Sequence, residues 1–358
     1  MNILFVYYVP SGGVETLNRQ RSTALRRKNI NCHFLYYQKK RELVNNHEAP
    51  TFITNEDDEI KRIIDKGKYS AIIITSDYLS LKRFRDLGFE GNLILEIQGL
   101  GAQHVARSVL INAYPYVTKY ANGILSSITP HIEQILSEHY PSFPKFIFHN
   151  CFDSSMFTYK SIPTKRHPII GWTGRIEDNK NWREFLRIGH RLIHFHNPKI
   201  KLYMFEDHTL ASSEERKAFN RMIKQLNLQK NLNILTNVPH EQMADYFSMI
   251  GDSGGFLCST SKVEGFGYAI VEAMSCRCPV LTTDSDGVKN SIIDNKTGKY
   301  YKLGDVIGAE KQAKELMINK QLRENIRSAA LTHIKTLYSP AQYGNHFIRM
   351  LTTLGIIQ

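Results

Sequence analysis

Residues 3–28 read ILFVYYVPSGGVETLNRQRSTALRRK, and this stretch decides the fold. Ile3 to Val9 is a continuous apolar run of strand length. Pro10, Ser11, Gly12 and Gly13 break it, and apolar residues then recur at helical spacing to about Lys28. Strand, glycine turn and helix in that order open a parallel α/β unit, because a strand buried on both faces shows no alternation and needs a covering helix before the next strand. The rhythm continues outward. Buried-type runs fall at Cys32 to Tyr37, Ala71 to Thr75 and Leu93 to Ile97, separated by polar or helix-like segments. After a Lys-, Pro- and Ser-rich stretch from Tyr159 to Pro168, the pattern restarts with Ile169 to Trp172, Gly174 and a helix. Strands at Lys201 to Phe205, Leu232 to Leu235, Gly255 to Cys258 and Pro279 to Thr282 follow. The sequence therefore predicts an α/β chain of two doubly wound domains facing a cleft, 1–160 and 161–337, with 338–358 a C-terminal helix packing back on the first. Ligands are expected at the carboxyl ends of the strands.

Composition agrees with that division. A chain of 358 residues exceeds the size at which one core stops growing, and 42% hydrophobic with 22% charged residues is ordinary for a globular protein. The N-terminal run lacks a basic flank and falls short of the roughly 18 apolar residues of a membrane span, so neither export nor insertion is expected. Cys32, Cys151, Cys258, Cys276 and Cys278 are odd in number and scattered, as for reduced thiols of a cytoplasmic protein. The net charge of +12 leaves nucleic acid, an anionic membrane surface and a phosphate-bearing substrate open as partners.

The chemistry concentrates in Ser259 to Asp286, STSKVEGFGYAIVEAMSCRCPVLTTDSD. Glu264 and Glu272 stand eight apart, the second expected two turns inside a helix that begins after the glycines. Backbone N–H groups of Phe266 and Gly267 at that helix start suit an anion, and Glu272 suits a hydroxylated ligand. Two isolated glutamates at this spacing also fit a shared solvated helix face.

The whole stretch resembles the E-x7-E signature of retaining glycosyltransferase family four, which has the GT-B fold of two Rossmann-like domains. Earlier blocks resemble the same family in order: Pro10 to Glu15, His149 to Asp153 with Phe157, and Gly174-Arg175-Ile176 with Lys180-Asn181. The resemblance implies that Arg175 and Lys180 bind the donor diphosphate, Glu264 faces the donor sugar and Glu272 grips the ribose. Gly12 and Gly13 lie against the donor phosphates, where a side chain would block close approach. It further implies that no cofactor and no metal are needed, the nucleotide sugar, such as a UDP-sugar, being a substrate. Fixed cations then stabilise the leaving diphosphate.

Departures from the pattern are specific. Where members often carry a histidine after the fourth N-terminal strand, Gln98 is the positional match and His104 is the substitute from the following turn. Glu206-Asp207-His208 and Asn237 replace common glycines, and Arg277 replaces a small residue. These changes are expected to cluster near the nucleotide pocket. His190, His194 and His196 share one predicted helix but lack a third ligand at useful spacing. Asp284-Ser285-Asp286 reads as a turn leading to Gly287.

The function implied is retaining transfer of a sugar to a glycan or lipid-linked acceptor in cell-surface polysaccharide synthesis. A nucleotide-sugar epimerase or hydrolase of the same architecture, or a nonenzymatic glycan or nucleic-acid binding protein, are the alternatives. Arg19, Arg21, Arg26, Arg27 and Lys28, with Lys39, Lys40 and Arg41, fall in the acceptor-side domain. They read as a solvated helix face or as an attraction for anionic headgroups or a charged acceptor. Nucleic acid is not expected, since neither interleaved aromatic platforms nor a known module accompanies the charge.

Overall fold

The computed structural model describes residues 1–39, 48–163 and 166–357, so Lys40 and Arg41 of the basic run lie outside the described residues. The chain divides into two compact units, Met1–Asp153 with Tyr338 to the C-terminus, and Ser154–Leu337.

The first unit runs β1 (Asn2–Tyr7), α1 (Gly12–Arg26), β2 (Asn31–Tyr36), β3 (Thr51–Ile53), α2 (Asp57–Gly67), β4 (Tyr69–Thr75), α3 (Leu79–Asp86), β5 (Asn92–Ile97), α4 (Gln103–Tyr120), β6 (Gly123–Ser126), α5 (Pro130–His139) and β7 (Lys145–Ile147). Its sheet has the order β3-β2-β1-β4-β5-β6-β7 with parallel pairing. Ile72, Ile73 and Ile74 are all buried, as expected of a central strand with both faces covered. The order reverses between β1 and β4, which makes that crevice the topological switch point.

The second unit runs β8 (Ile169–Thr173), α6 (Trp182–Phe195), β9 (Lys201–Glu206), α7 (Ser213–Gln225), β10 (Leu232–Thr236), α8 (His240–Asp252), β11 (Phe256–Ser259), α9 (Tyr268–Ser275), β12 (Val280–Thr283), β13 (Lys299–Tyr301), α10 (Val306–Ile318) and α11 (Lys320–Leu337). The sheet order is β10-β9-β8-β11-β12-β13, again parallel, with its switch point between β8 and β11. Trp172, Trp182 and Phe185 fill the core between β8 and α6.

The last helix, α12 (Pro340–Thr353), belongs to the first unit. Ser339 caps it by accepting from the Gln342 N–H, and Pro340 occupies its first turn, where no N–H is needed. It packs on α1 so closely that a Cβ on Gly344 would lie 3.3 Å from the Lys28 side chain.

The basic run is not one solvated face. Arg19 is buried against Glu15, and Arg21 is completely buried. Its Nη1 and Nη2 donate to the two Glu96 oxygens at 2.7 and 3.0 Å, its Nε donates to Asn18 at 2.9 Å, and its guanidinium lies 4.0 Å from the Phe5 ring centre. Burial alone would lower the Arg21 pKa, yet the opposed Glu96 carboxylate outweighs it and holds the group charged. Neither partner can be removed without leaving an uncompensated buried charge. Arg26, Arg27 and Lys28 remain exposed at the far end of α1, where Asn29 accepts from the N-terminal ammonium at 3.3 Å. They thus stand at the amino edge of the sheet, opposite Gly12. Arg26 pairs with Glu48, and Arg27 lies 4.0 Å from Asp153.

All five cysteines are buried. Burial pushes the thiols of Cys32, Cys151 and Cys278 up to about 12, so none is a poised nucleophile. Among the described residues no helix is long and apolar enough to cross a membrane.

Candidate functional site

The loops at the carboxyl end of the second sheet bring together Lys180 and Glu264, two of the three predicted catalytic residues. After β8 the chain turns at Gly174, where a Cβ would lie 3.0 Å from Lys180 Cγ and 2.9 Å from the Trp172 ring; glycine lets the lysine stem fold back against the strand end. Asn181 then starts α6 from the left-handed region, at φ 50°. The loop after β11 is stitched to this one. Thr260 accepts from the Trp172 indole at 3.0 Å, and its own hydroxyl lies within reach of the Lys180 carbonyl at 2.9 Å. Lys262 N–H donates to the Asn179 carbonyl at 2.8 Å, and the Asn179 amide donates to the Val263 carbonyl at 3.1 Å.

The consequence is a contact across 84 positions of sequence: Lys180 Nζ lies 2.5 Å from Glu264 Oε1, which also accepts from Ser261 Oγ at 2.6 Å. Both charged side chains are partly open to solvent, at 23% and 14% exposure, so they remain available to a ligand. A third loop buttresses the backbone at Glu264. Gly287, in the turn Asp286–Val288 after β12, packs where a Cβ would lie 2.1 Å from the Glu264 carbonyl. Asp284, Ser285 and Asp286 enter that turn, and Asp286 pairs with Lys289 at 2.6 Å. Among the described residues, the hydroxyls of Thr173 and Ser285 are buried without a hydrogen-bond partner, and they flank this pair of loops.

Gly267, at φ 77°, caps α9, and Phe266 beside it is buried against Tyr268. Glu272 is the fifth residue of that helix rather than two turns inside it, since α9 starts only after Gly267. Its carboxylate is buried and bonded to His240 Nε2 at 2.8 Å. His240 begins α8 and packs edge-on against Phe157, with ring centres 4.6 Å apart. Its role was invisible in the sequence, where only Phe157 carried a signal.

The departures separate into two groups. Asn237 takes up the left-handed φ of 52° that a glycine would supply, and its N–H donates to the Glu206 carbonyl at 2.9 Å. Glu206 is drawn back by Arg216, whose Nη1 lies 2.8 Å away. Arg277 does not join them. At φ 57° it follows α9, pairing with Glu324 at 3.1 Å and lying over the Tyr159 ring, so this replacement lies away from the strand ends. Arg175 is 55% exposed and pairs with Glu177 at 3.1 Å.

The remaining predicted residues lie in the first unit. Gly12 opens α1 at φ 75° with Gly13 next to it, both exposed. Gln98 follows β5 and forms a reciprocal amide pair with Asn150, 2.9 Å each way, while its Nε2 lies 3.3 Å from Glu96 of the buried arginine pair. His104 is exposed near the start of α4. Among the described residues no cluster of His, Cys, Asp or Glu could hold a metal ion. His196 lies past the end of α6 and bonds Glu310 at 2.6 Å, so the three histidines do not share one helix.

These two parallel, doubly wound units define an α/β protein of GT-B architecture. Residues 158–333 match the model of the family described as glycosyl transferases group 1, which takes in nearly all of the second unit. The likeness to that family lies in this unit. It is 24% identical over 171 residues to a capsular polysaccharide biosynthesis glycosyltransferase, CapM, of Staphylococcus aureus, covering 48% of this chain and 42% of the relative. It is 23% identical over 273 residues to a probable sucrose-phosphate synthase of Thermosipho melanesiensis, covering 70% and 59%. The chain thus spans about half the length of these curated relatives. Among solved structures, a sucrose-phosphate synthase of Thermosynechococcus elongatus superimposes with a TM-score of 0.82 at 15% identity over 98% of this chain and 99% of that one. Anabaena HepE in complex with UDP and glucose gives 0.82 at 15% over 99% and 100%.

Proposed function

We propose that this chain is a retaining, metal-independent glycosyltransferase, taking a sugar from a UDP-sugar to a glycan or lipid-linked acceptor in cell-surface polysaccharide synthesis. The observation that carries the reading is the Lys180 to Glu264 contact at 2.5 Å, set beside two unpartnered hydroxyls within the family-matched residues. UDP, named for the HepE complex, supports the choice of base, and the capsular relative supports the cell-surface product.

In this reading the bond from the sugar C1 to the diphosphate oxygen breaks, and the electron pair leaves with the nucleoside diphosphate. The acceptor hydroxyl forms the new bond to C1 on the same face, and its proton passes to an oxygen of the departing phosphate. Lys180 and Arg175 stabilise the charge that grows on the diphosphate. Glu264 fixes Lys180 and faces the sugar, Phe266 and Gly267 offer backbone N–H groups, and Glu272, oriented by His240, accepts from the ribose hydroxyls. Gly12, Gly13 and Gln98, with His104 as the alternative to Gln98, are the first unit's own candidates for binding substrate. Asn237 borders the base. The reaction belongs in the cytoplasm, with the exposed Arg26, Arg27 and Lys28 suited to an anionic membrane surface.

Glu272→Ala is expected to weaken UDP-sugar affinity more than it slows turnover, because a contact to the ribose exists in ground and transition states alike. Calorimetry showing parental affinity in this variant would remove Glu272 from the donor site. Activity is also expected to survive EDTA. Loss that magnesium or manganese restores would overturn the metal-free mechanism and return Asp284 and Asp286 to consideration as ligands.

A further inference from the structure

At the switch point of the first sheet, the strand ends carry an aromatic and carboxylate cluster that the donor reading leaves unused. β1 ends at Tyr7, and the next residue, Tyr8, is 42% exposed. Its ring stands 5.6 Å from Tyr7 and 6.1 Å from Tyr37, both edge-on, so its outer face is supported from behind. On the other side of the crevice β4 ends at Thr75, followed by Ser76, Asp77, Tyr78 and the 54% exposed Leu79.

The second side is held in place. Ser76 adopts φ 58°, a left-handed conformation uncommon for serine. Its N–H donates to the Glu96 carbonyl at 2.7 Å, and the Gln98 N–H donates to its hydroxyl at 3.2 Å, which fixes the turn to the end of β5. Ser80 Oγ donates to Asp77 Oδ2 at 2.5 Å and lies 2.8 Å from the Tyr37 hydroxyl. Burial and then the nearby Asp77 carboxylate push the Tyr8 hydroxyl up to about 12, so Tyr8 stays a neutral donor while Asp77 stands close by.

We propose that this crevice between β1 and β4 is the acceptor subsite and that it takes a neutral sugar ring, stacked on Tyr8 and held through its hydroxyls by Asp77. The inference rests on the glycosyltransferase reading and adds the chemical class of the acceptor. A pyranose has an apolar C–H face for an aromatic ring and hydroxyls that donate to a carboxylate. An anionic sugar would bring its charge against Asp77, and like charges at short range cost both groups. The exposed cations of α1 do not compensate, because they stand at the opposite edge of the sheet.

The test uses the full chain and its Tyr8→Ala, Tyr8→Phe and Asp77→Asn variants, with melting curves to establish folding. Binding is measured to immobilised neutral hexose oligosaccharides and to a matched set of uronic-acid oligosaccharides, alongside calorimetric titration with UDP. The parent is expected to bind at least one neutral oligosaccharide, at least about tenfold more weakly in Tyr8→Ala and Asp77→Asn, and within about threefold in Tyr8→Phe, where the ring remains. UDP affinity is expected to be the same in all four proteins. Binding confined to the uronates, parental binding by Tyr8→Ala, or UDP affinity that falls with Tyr8 would each overturn the proposal. A parent that binds UDP but no neutral oligosaccharide sinks the subsite alone, whereas one that binds no UDP sinks the functional reading beneath it.

Discussion

Lys180→Ala is expected to lower the rate of sugar transfer by at least about a hundredfold, about 2.7 kcal/mol of transition-state stabilisation, with the fold intact. The ammonium stands 2.5 Å from Glu264 because Gly174 leaves room for the lysine stem and Thr260 ties the two loops together. A cation preorganised in this way needs no rearrangement when charge moves onto the leaving diphosphate, which is when its interaction counts most. The alanine variant also leaves the Glu264 carboxylate with Ser261 as its one remaining hydrogen-bond partner among the described residues, adding repulsion toward an anionic donor. Arg175→Ala should act in the same direction but more weakly, since an exposed guanidinium paired with Glu177 is screened by solvent and salt. Steady-state turnover of each variant against the parent, with thermal melting as the folding control, decides the matter. Near-normal turnover for Lys180→Ala would put this lysine outside the reacting centre.

Gly287→Ala should be as damaging without removing any functional group. The new methyl would lie 2.1 Å from the Glu264 carbonyl oxygen and 2.5 Å from the Gly265 carbonyl carbon, both backbone atoms that cannot swing aside. The loop carrying Glu264 must then move, and a displacement of roughly 1 Å at a reacting centre is enough to cost about a hundredfold in rate. Turnover is expected to fall by that order while far-UV circular dichroism stays parental, because the collision is confined to two loops. Parental turnover in the alanine variant would mean that the position of Glu264 is not what the reaction depends on.

The long central strands were legible because their apolar runs carry a period that short segments cannot. β1, β4, β5, β8 and β9 lie within about two residues of the sequence reading. β3, β7 and β13 are three residues long and β6, β11 and β12 four, and among these only β11 and β12 were read, because their apolar runs adjoin the motif. The charge of α1 misled for a physical reason. Arginine spacing describes a helix face, but whether that face meets water depends on Glu96, 75 positions away on another strand. The division of the chain was read after residue 160, in the Lys- and Pro-rich stretch, whereas the compact units separate after Asp153. At the site, resemblance assigned Lys180 and Glu264 to one donor, yet their direct contact, the Gly287 buttress and the hold of His240 on Glu272 arise only when loops from separate strands converge. Gln98 was named by position. Its partner Asn150 lay inside a quoted block without a role, because side-chain amide pairing leaves no trace in spacing.

The central claim is that the second unit binds the nucleotide part of a sugar donor, and calorimetric titration of the parent chain with UDP, GDP and ADP in the presence of EDTA tests it most directly. The account predicts saturable one-site binding of UDP in preference to the other two, weakened in both Lys180→Ala and Glu272→Ala. Absence of binding by all three nucleotides, or binding of equal strength in the parent and in these two variants, would contradict it.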